Sequence, residues 1–212
     1  MIRIMVVDDH SIVHQGLTFI LNKSHKMEIV ANCTNGSEAM NWLRGNDCDV
    51  ALVDIAMPGM NGIDLLKQIR KEKPGLPVLV LSAYPEDQYA VRLIKAGAAG
   101  YLNKECVPEE VVSAVRSVVN GKRYISPAVV EMLANELSMP DEKPPHETLS
   151  NREYQIFMLF ASAKTITEIA VTLKLSTNTI STYRKRILEK MHLNNNAELM
   201  LYAVENHLNR QP

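Results

Sequence analysis

The stretch that decides the fold of the first half of the chain is VALVDIAMPGMNG, residues 50–62. It opens with four consecutive apolar residues, Val50 to Val53, as expected for a strand that is covered on both faces of a sheet. Asp54 follows this strand directly. In parallel α/β sheets, ligands and reacting groups collect at the carboxyl ends of the strands. Asp54 is therefore a candidate functional residue.

The same alternation of short apolar runs and longer amphipathic runs extends outward from this stretch over the first 105 residues. The strands are predicted at Ile2–Val7, Ile29–Ala31, Val50–Val53, Val78–Leu81 and Gly100–Leu102. The helices are predicted at Ser11–Leu21, Ser37–Leu43, Gly62–Lys71, Gln88–Ala96 and Pro108–Val119. Five βα units of this kind predict an α/β domain with a parallel, doubly wound sheet of the flavodoxin-like type.

The pattern changes after Gly121. One short helix is predicted, followed by the proline-containing polar stretch 138–146, which is typical of a semi-extended linker. Four helical segments then follow without strands, at about 151–161, 165–173, 177–191 and 196–208, and Ser150 with Glu153 predicts a capping box at the first of them. We therefore predict domains at 1–120 and 148–212, joined by a linker at 121–147.

Composition sets limits on function. The net charge of −1 divides unevenly, because residues 148–212 carry eight Lys/Arg against five Asp/Glu. A basic second half is weak evidence for nucleic acid on its own. The three cysteines form no CxxC pair, which favours reduced packing residues over a disulfide or zinc site. We find neither a signal peptide nor an apolar run of membrane-spanning length, and expect a cytoplasmic protein without a membrane partner.

Carboxylates follow two strands that would be neighbours in a 2-1-3-4-5 sheet. Asp8 and Asp9 come directly after the first strand and Asp54 after the third, so the three side chains should converge. Oxygen ligands of this kind suit a hard cation, and Mg²⁺ is the expected cofactor. The alternative is that such acids merely cap the following helices. The hydroxyl of Ser82 and the ammonium of Lys104 at two further strand ends favour a single pocket.

Together with residues 53–62, these positions resemble the receiver domain of two-component response regulators over roughly residues 1–120. The resemblance implies that Asp54 accepts a phosphoryl group from a sensor histidine kinase. It also implies a switch at Ser82, Tyr101 and Lys104, in which Tyr101 turns inward as Ser82 moves. The metal ligands that it implies are Asp9, Asp54 and the backbone carbonyl of Ala56, with Asp8 acting through water.

The second half resembles the DNA-binding domain of the NarL/FixJ (LuxR-type) regulators, on the segment from Leu149 through Glu168-Ile169-Ala170 and Thr179-Ile180 to Lys190-Met191. The order Ser181-Thr182-Tyr183 is similar to the BvgA and EvgA branch. The implied function is a helix-turn-helix that binds double-stranded promoter DNA. The implied contacts lie on the second helix of the motif, at Thr177, Asn178, Ser181, Thr182, Arg184, Lys185, Arg186 and Lys190. Arg184 lies between the faces of this helix and has a structural role as its alternative.

The last helix carries Leu199, Tyr202 and Ala203, which in this family supply the contact of the DNA-binding dimer. Docking of this stripe on its own domain is an equally good interpretation. We expect the unphosphorylated protein to be largely monomeric and the phosphorylated protein to form a homodimer that reads two half-sites. Ser181, Tyr183 and Asn196 depart from the family pattern and leave the site preference open, and Ala163 stands where a turn Gly is common.

Four alternative interpretations fit the sequence less well. A phosphatase of the haloacid dehalogenase type needs a second Asp where Ala56 stands. A flavodoxin-like nucleotide carrier needs a phosphate loop where Asp8-Asp9-His10 stands. A LuxR-type sensor of small molecules lacks the acidic set. A transition-metal site at His10, His14 and His25 has poor spacing for joint ligation. The protein is not predicted to be an enzyme beyond phosphorylation and dephosphorylation of its own Asp54.

Overall fold

The structure is a computed structural model of the chain, and it describes residues 1–24, 26–57, 59–137, 144–206 and 208. These residues form two compact units, which divide after Asn135. The predicted linker stretch 138–146 lies outside the described residues at positions 138–143. The domain limits 1–120, 121–147 and 148–212 stay a prediction.

The first unit contains a five-stranded parallel sheet in the order β2-β1-β3-β4-β5. The strands are β1 Ile2–Val7, β2 Met27–Cys33, β3 Val50–Asp54, β4 Val78–Ser82 and β5 Gly100–Asn103. This confirms the predicted flavodoxin-like α/β fold. Strand β2 is longer than the predicted Ile29–Ala31. It lies at the edge of the sheet, where only its two end residues, Met27 and Cys33, are buried, so its apolar pattern in the sequence is short.

Five helices connect and follow these strands, namely α1 Ser11–Asn22, α2 Gly36–Gly45, α3 Gly62–Glu72, α4 Glu86–Lys95 and α5 Pro108–Val119. Asparagine side chains define two of the starts. Asn35 accepts a hydrogen bond from the Glu38 amide, and Asn61 accepts one from the Asp64 amide. Each side chain satisfies a backbone donor that the first turn of a helix leaves unpaired.

Both faces of the sheet are covered. On the side of α1 and α5, strand residues Ile4, Leu52 and Leu79 join one apolar cluster with residues of both helices. The alternate residues, among them Met5 and Val53, are equally buried. Burial on two faces explains why the central strands read as continuous apolar runs in the sequence.

A sixth helix, α6 Pro127–Leu137, follows α5. The second unit consists of a short 3-10 turn at Pro145–Thr148 and four helices, α7 Asn151–Ala161, α8 Ile166–Leu173, α9 Thr177–Met191 and α10 Asn196–Glu205. This confirms the predicted all-α domain and the capping box at Ser150 and Glu153. Helix α10 ends three residues before the predicted 208, and the Asn206 amide bonds to the carbonyl of Tyr202 at its C-terminal cap. In the described part of the chain, no helix combines the length and the apolar character that crossing a membrane requires.

Candidate functional site

The polar side chains at the carboxyl edge of the sheet meet in one pocket. Lys104 Nζ lies 2.6 Å from Asp8 Oδ2 and 2.9 Å from Asp54 Oδ2. Both carboxylates are almost completely buried, with 1% and 2% of their surfaces exposed. The strand order explains the convergence, because β1, which precedes Asp8, pairs with β3, which ends in Asp54. Lys104 lies in the turn after β5 and reaches across the edge of the sheet to both.

The electrostatics of the pocket follow from this burial. Burial raises the pKa of Asp54 above its usual value; the charge of Lys104 opposes this effect and that of Asp8 adds to it. The pKa of Lys104 is raised as well, because attraction to Asp54 and Asp8 outweighs its own burial. One ammonium therefore faces more negative charge than it balances, an arrangement that favours a further cation.

The donor atoms of the pocket fit a divalent metal ion. Asp8, Asp9, His10 and Asp54 each offer one ligand atom, and these atoms all lie within 4.8 Å of one another. Three of the four are carboxylate oxygens, the ligands that Mg²⁺ prefers. The amide of Ala56 donates to Asp54 Oδ1 at 3.2 Å, which places this residue beside the acids. Its carbonyl as a metal ligand stays a prediction.

Of the three histidines of the alternative transition-metal site, the two that the structure describes have different partners. His10 Nδ1 lies 3.1 Å from an oxygen of Asp8 and 3.1 Å from an oxygen of Asp9. His14 instead bonds the backbone oxygen of Asp8 and the side chain of Asn32. His25 lies outside the described residues. Among the described residues, the imidazole of His10 is the one that lies beside the acids.

Ser82 and Tyr101 are linked through the loop between β4 and α4. Ser82 is fully buried at the end of β4, and its hydroxyl accepts a hydrogen bond from the Tyr84 amide at 3.0 Å. The Tyr101 hydroxyl donates to the Tyr84 carbonyl at 2.5 Å. Asp54, at the end of β3, pairs with Leu81 in the neighbouring strand β4. Ser82, the next residue of β4, therefore lies one residue further along the same edge of the sheet. Tyr84, which the sequence did not single out, joins the two predicted switch residues.

The second unit contains a helix-turn-helix. Helix α8 ends at Leu173, and the backbone of its C-cap residue, Lys174, is left-handed, with φ 52° and ψ 46°. Helix α9 begins after Ser176, whose hydroxyl accepts from the Thr179 amide. Ile180, Ile187 and Met191 are buried, as predicted for the inner face of α9.

The opposite face of α9 is exposed. It carries six of the predicted DNA-contacting residues, Thr177, Asn178, Ser181, Thr182, Lys185 and Arg186. The hydroxyls of Ser181 and Thr182 donate to carbonyls one turn back in the helix. A shallow depression of about 300 Å³ along this face is lined by Asn178, Thr182 and Arg186, among others. Short polar groups near the start of the helix and cations further along thus share one surface.

The other two predicted contacts, Arg184 and Lys190, have partners within the domain. Arg184 Nε donates to Asn196 Oδ1 at 2.6 Å, at the start of α10. Lys190 Nζ lies 2.6 Å from Glu153 Oε2, and the Glu153 side chain is only 5% exposed. These bonds give both cations a structural role, which for Arg184 was the alternative interpretation.

The predicted dimer residues on α10 lie mostly inside their own domain. Leu199 and Ala203 are fully buried, and α10 packs on α7. The Tyr202 hydroxyl lies 2.8 Å from His146 Nδ1. The large apolar side chains that this helix exposes are Leu201 and Val204, at 57% and 58%. The stripe seen in the sequence therefore docks α10 on its own domain.

Comparison with known proteins places both units. Residues 4–116 match the family "Response regulator receiver domain", and residues 147–203 match "Bacterial regulatory proteins, luxR family". The chain is 37% identical to the response regulator GacA of Pseudomonas aeruginosa, over 96% of each protein. It is 34% identical to the response regulator UvrY of Escherichia coli K12, over 98% of this chain and 96% of UvrY. The chain belongs to the NarL/FixJ-type response regulators.

As a two-component response regulator with a DNA-binding domain, the chain also resembles solved structures. One is RcsB from Salmonella enterica serovar Typhimurium bound to promoter rprA with the phosphomimetic BeF₃⁻. It is 25% identical with a TM-score of 0.62, and the match covers 95% of this chain and 97% of RcsB. A second RcsB structure contains two dimers on two parallel DNAs, at 25% identity and a TM-score of 0.60, over 96% and 98% of the two chains. The narrower likeness to BvgA and EvgA stays a prediction.

Sequence reasoning missed some residues around the sites of this response regulator. His10 follows Asp9 directly, a proximity that signalled its place, but the direction of its ring does not follow from sequence. Tyr84 acts through its backbone, which leaves no signal in the residue type. The sequence pattern indicated no role for Gly62 beyond the start of α3. In the structure, a Cβ at this position would lie 2.0 Å from the backbone oxygen of Asp54. Only glycine lets α3 begin against the residue that ends β3.

Proposed function

We propose that this response regulator is controlled by a phosphoryl group on Asp54, which a sensor histidine kinase supplies, and that the phosphorylated protein binds promoter DNA as a dimer. The observation that carries this proposal is the contact of Lys104 Nζ with Asp8 and Asp54, beside Asp9 and His10, whose side chains could help to hold a metal ion. Apart from placing and removing the phosphoryl group on its own Asp54, the protein catalyses no reaction.

The chemistry follows from the residues of the pocket. A carboxylate oxygen of Asp54 attacks the phosphorus of a phosphohistidine, the P–N bond breaks, and the aspartyl phosphate forms. Negative charge accumulates on the phosphoryl oxygens during the transfer. The Lys104 ammonium, beside Asp54, would stabilise that charge. Asp9, Asp54 and the Ala56 carbonyl would hold Mg²⁺, with Asp8 assisting through water. A bound Mg²⁺ would neutralise further charge on the same oxygens.

The switch uses the linked hydroxyls of Ser82 and Tyr101. The aspartyl phosphate brings three acceptor oxygens and about −1.5 to −2 charge at neutral pH. The Ser82 hydroxyl would bond one of these oxygens and leave the Tyr84 amide. Because the Tyr101 hydroxyl bonds the carbonyl of the same Tyr84, movement of this loop reaches the aromatic ring.

The DNA contact is assigned to the exposed face of α9. Thr177, Asn178, Ser181 and Thr182 would face base edges in the major groove, and Lys185 and Arg186 would contact phosphates. The structure of RcsB bound to a promoter supports promoter DNA as the partner of a related chain. Arg184 and Lys190 would instead position α9 through Asn196 and Glu153. Double-stranded promoter DNA as the partner implies that the protein acts in the cytoplasm.

The dimer contact is assigned to the exposed side of α10. Leu199 and Ala203 are buried within the domain, so a second copy would meet Leu201 and Val204, with Tyr202 at the margin. The dimers in the RcsB structure support a two-copy arrangement on DNA. Association through two small apolar patches is weak on its own, which suits a contact that forms only when a second event favours it.

Acetyl phosphate tests the phosphoacceptor. The full-length protein with Mg²⁺ is expected to gain one phosphoryl group, seen as intact mass, and to lose the gain with a chelator. Asp54→Asn should gain none, whereas Asp64→Asn, in the first turn of α3, should label like the unchanged protein. Label that persists in Asp54→Asn, or labelling that ignores metal removal, would contradict the assignment.

A further inference from the structure

The segment between α5 and α6 adds a short bridge to the free edge of the sheet. The Tyr124 amide donates to the Ala99 carbonyl at 2.9 Å, and the Tyr101 amide donates to the Tyr124 carbonyl at 3.2 Å. Gly100 pairs with Tyr124 in a parallel bridge. A Cβ at Gly100 would lie 2.5 Å from the Tyr124 carbonyl oxygen, so the close approach needs glycine. We call residues 122–127 the latch.

The end of the latch is also tied to α4. The Ser126 hydroxyl donates to Glu86 Oε1 at 2.9 Å. The hydroxyl oxygen of Ser126 in turn accepts from the Val129 amide at 3.2 Å, in the first turn of α6. A hydroxyl has one hydrogen to give and can accept at the same time, so the two bonds are compatible. The start of α6 is thereby fixed to the start of α4.

Three hydrogen bonds in series connect the buried hydroxyl of Ser82 to the latch, by way of Tyr84 and Tyr101. Glu86 is the first residue after the loop whose Tyr84 amide bonds Ser82. Tyr101 bonds the Tyr84 carbonyl through its side chain and the Tyr124 carbonyl through its amide. A cavity of about 590 Å³ lies beside the latch, lined in part by Tyr101, Glu86 and Tyr124. Hydrogen bonds attach the latch to β5 and α4, and the Tyr124 side chain also packs against the apolar cluster of the first unit, so release must break both kinds of contact.

We propose that the latch responds to the phosphoryl group on Asp54 and detaches from β5 and α4 when Ser82 moves. This inference rests on the proposed function of Asp54. When the Ser82 hydroxyl leaves the Tyr84 amide, the loop that carries Tyr84 and Glu86 shifts, and the bond from Ser126 to Glu86 is lost. The buried Tyr101 side chain is tied to the same loop through its hydroxyl, so displacement of the loop strains the bridge from the Tyr101 amide to Tyr124. Release lengthens the flexible connection between α5 and α6.

Hydrogen exchange of the full-length protein measures this directly, at the amides of Tyr124 and Val129. The protein is first labelled with acetyl phosphate and Mg²⁺, and the label is verified by intact mass. Both amides should exchange at least about fivefold faster in labelled protein, the factor expected for the loss of about 1 kcal/mol per hydrogen bond. Complete labelling with unchanged or slower exchange would overturn the latch and leave the phosphoacceptor standing. Failure to label would count against the phosphoacceptor itself.

A second arm needs no phosphoryl group. Glu86→Ala should accelerate exchange at Val129 about fivefold in unlabelled protein, although Glu86 does not contact that amide. Glu109→Ala is the matched control, because it removes an acid from the first turn of α5. If Glu86→Ala leaves Val129 exchange unchanged, or if both variants have the same effect, Ser126 is only a helix cap and the proposal is wrong.

Discussion

Two glycines in the same unit should respond oppositely to the same substitution. A Cβ at Gly62 would lie 2.0 Å from the Asp54 carbonyl oxygen and 2.8 Å from the Ile55 Cα, both backbone atoms. At Gly16, in the middle of α1, a Cβ would meet nothing within 4 Å. We therefore expect Gly62→Ala to destabilise the unit and displace Asp54, and Gly16→Ala to stabilise it.

The magnitudes follow from the contacts. The start of α3 must retreat by more than about 1 Å to accept a methyl group at Gly62, since carbon and oxygen repel strongly at this distance. Overpacking against rigid backbone costs about 3 kcal/mol. At Gly16 the gain is about 0.8 kcal/mol, the difference between Ala and Gly inside an exposed helix.

Urea unfolding of the full-length protein can isolate this unit. The chain contains one tryptophan, Trp42, and it lies in α2. Its fluorescence therefore follows the first unit in the intact chain. With a slope of about 2 kcal/mol per molar urea, Gly62→Ala should lower the midpoint by about 1.5 M and Gly16→Ala should raise it by about 0.4 M. A midpoint unchanged in Gly62→Ala, or lowered in Gly16→Ala, would refute the packing described here.

Three further outcomes are expected. Because burial raises the pKa of Asp54, the ionised form of this residue destabilises the fold. Without metal, Asp54→Asn should therefore raise the urea midpoint at pH 7. The unchanged protein gains stability as the pH falls through the raised pKa, and the variant should lack this gain. A lower urea midpoint for Asp54→Asn than for the unchanged protein at pH 7 would contradict this expectation. Ala163 has a left-handed backbone with φ 59°, so Ala163→Gly should stabilise the second unit by about 0.5–1 kcal/mol, seen by calorimetry as a higher transition temperature. A lower temperature would show that the strain is absent. Lys190→Ala leaves the buried carboxylate of Glu153 without its ion pair and should cost about 1–2 kcal/mol, whereas Lys185→Ala should change stability by less than about 0.5 kcal/mol and reduce the salt dependence of DNA binding by about one phosphate contact. If Lys185→Ala were the more destabilising change and Lys190→Ala reduced the salt dependence of DNA binding, the roles given to the two lysines would be wrong.

The fold was predictable where burial is uniform. Strands β3 and β4 are covered on both faces, so their apolar runs marked them to within one residue. Strand β2 was predicted at only three residues because the side chains between its buried ends are partly exposed. Helix α4 begins at Glu86, two residues earlier than predicted. The prediction missed this start because the residue before the helix is Pro85, which provides no side-chain cap for the first turn.

The pocket was predictable because strand order alone brings Asp8, Asp54 and Lys104 to one edge. Other features depend on partners that are distant in sequence. Helical periodicity identified the outer face of α9, but nothing in it indicated that Lys190 would meet Glu153 or that Arg184 would meet Asn196. For the same reason, the apolar stripe of α10 fitted either a second copy or its own domain.

The central claim is that a phosphoryl group on Asp54 controls DNA binding by α9. Its most direct test is the affinity of the full-length protein for a duplex selected from random double-stranded DNA, measured by fluorescence anisotropy with and without complete acetyl phosphate labelling. We predict that labelling tightens binding at least tenfold, or about 1.4 kcal/mol, and that Asp54→Asn binds equally in both conditions. Equal affinity of labelled and unlabelled protein, or a response that survives in Asp54→Asn, would contradict the account.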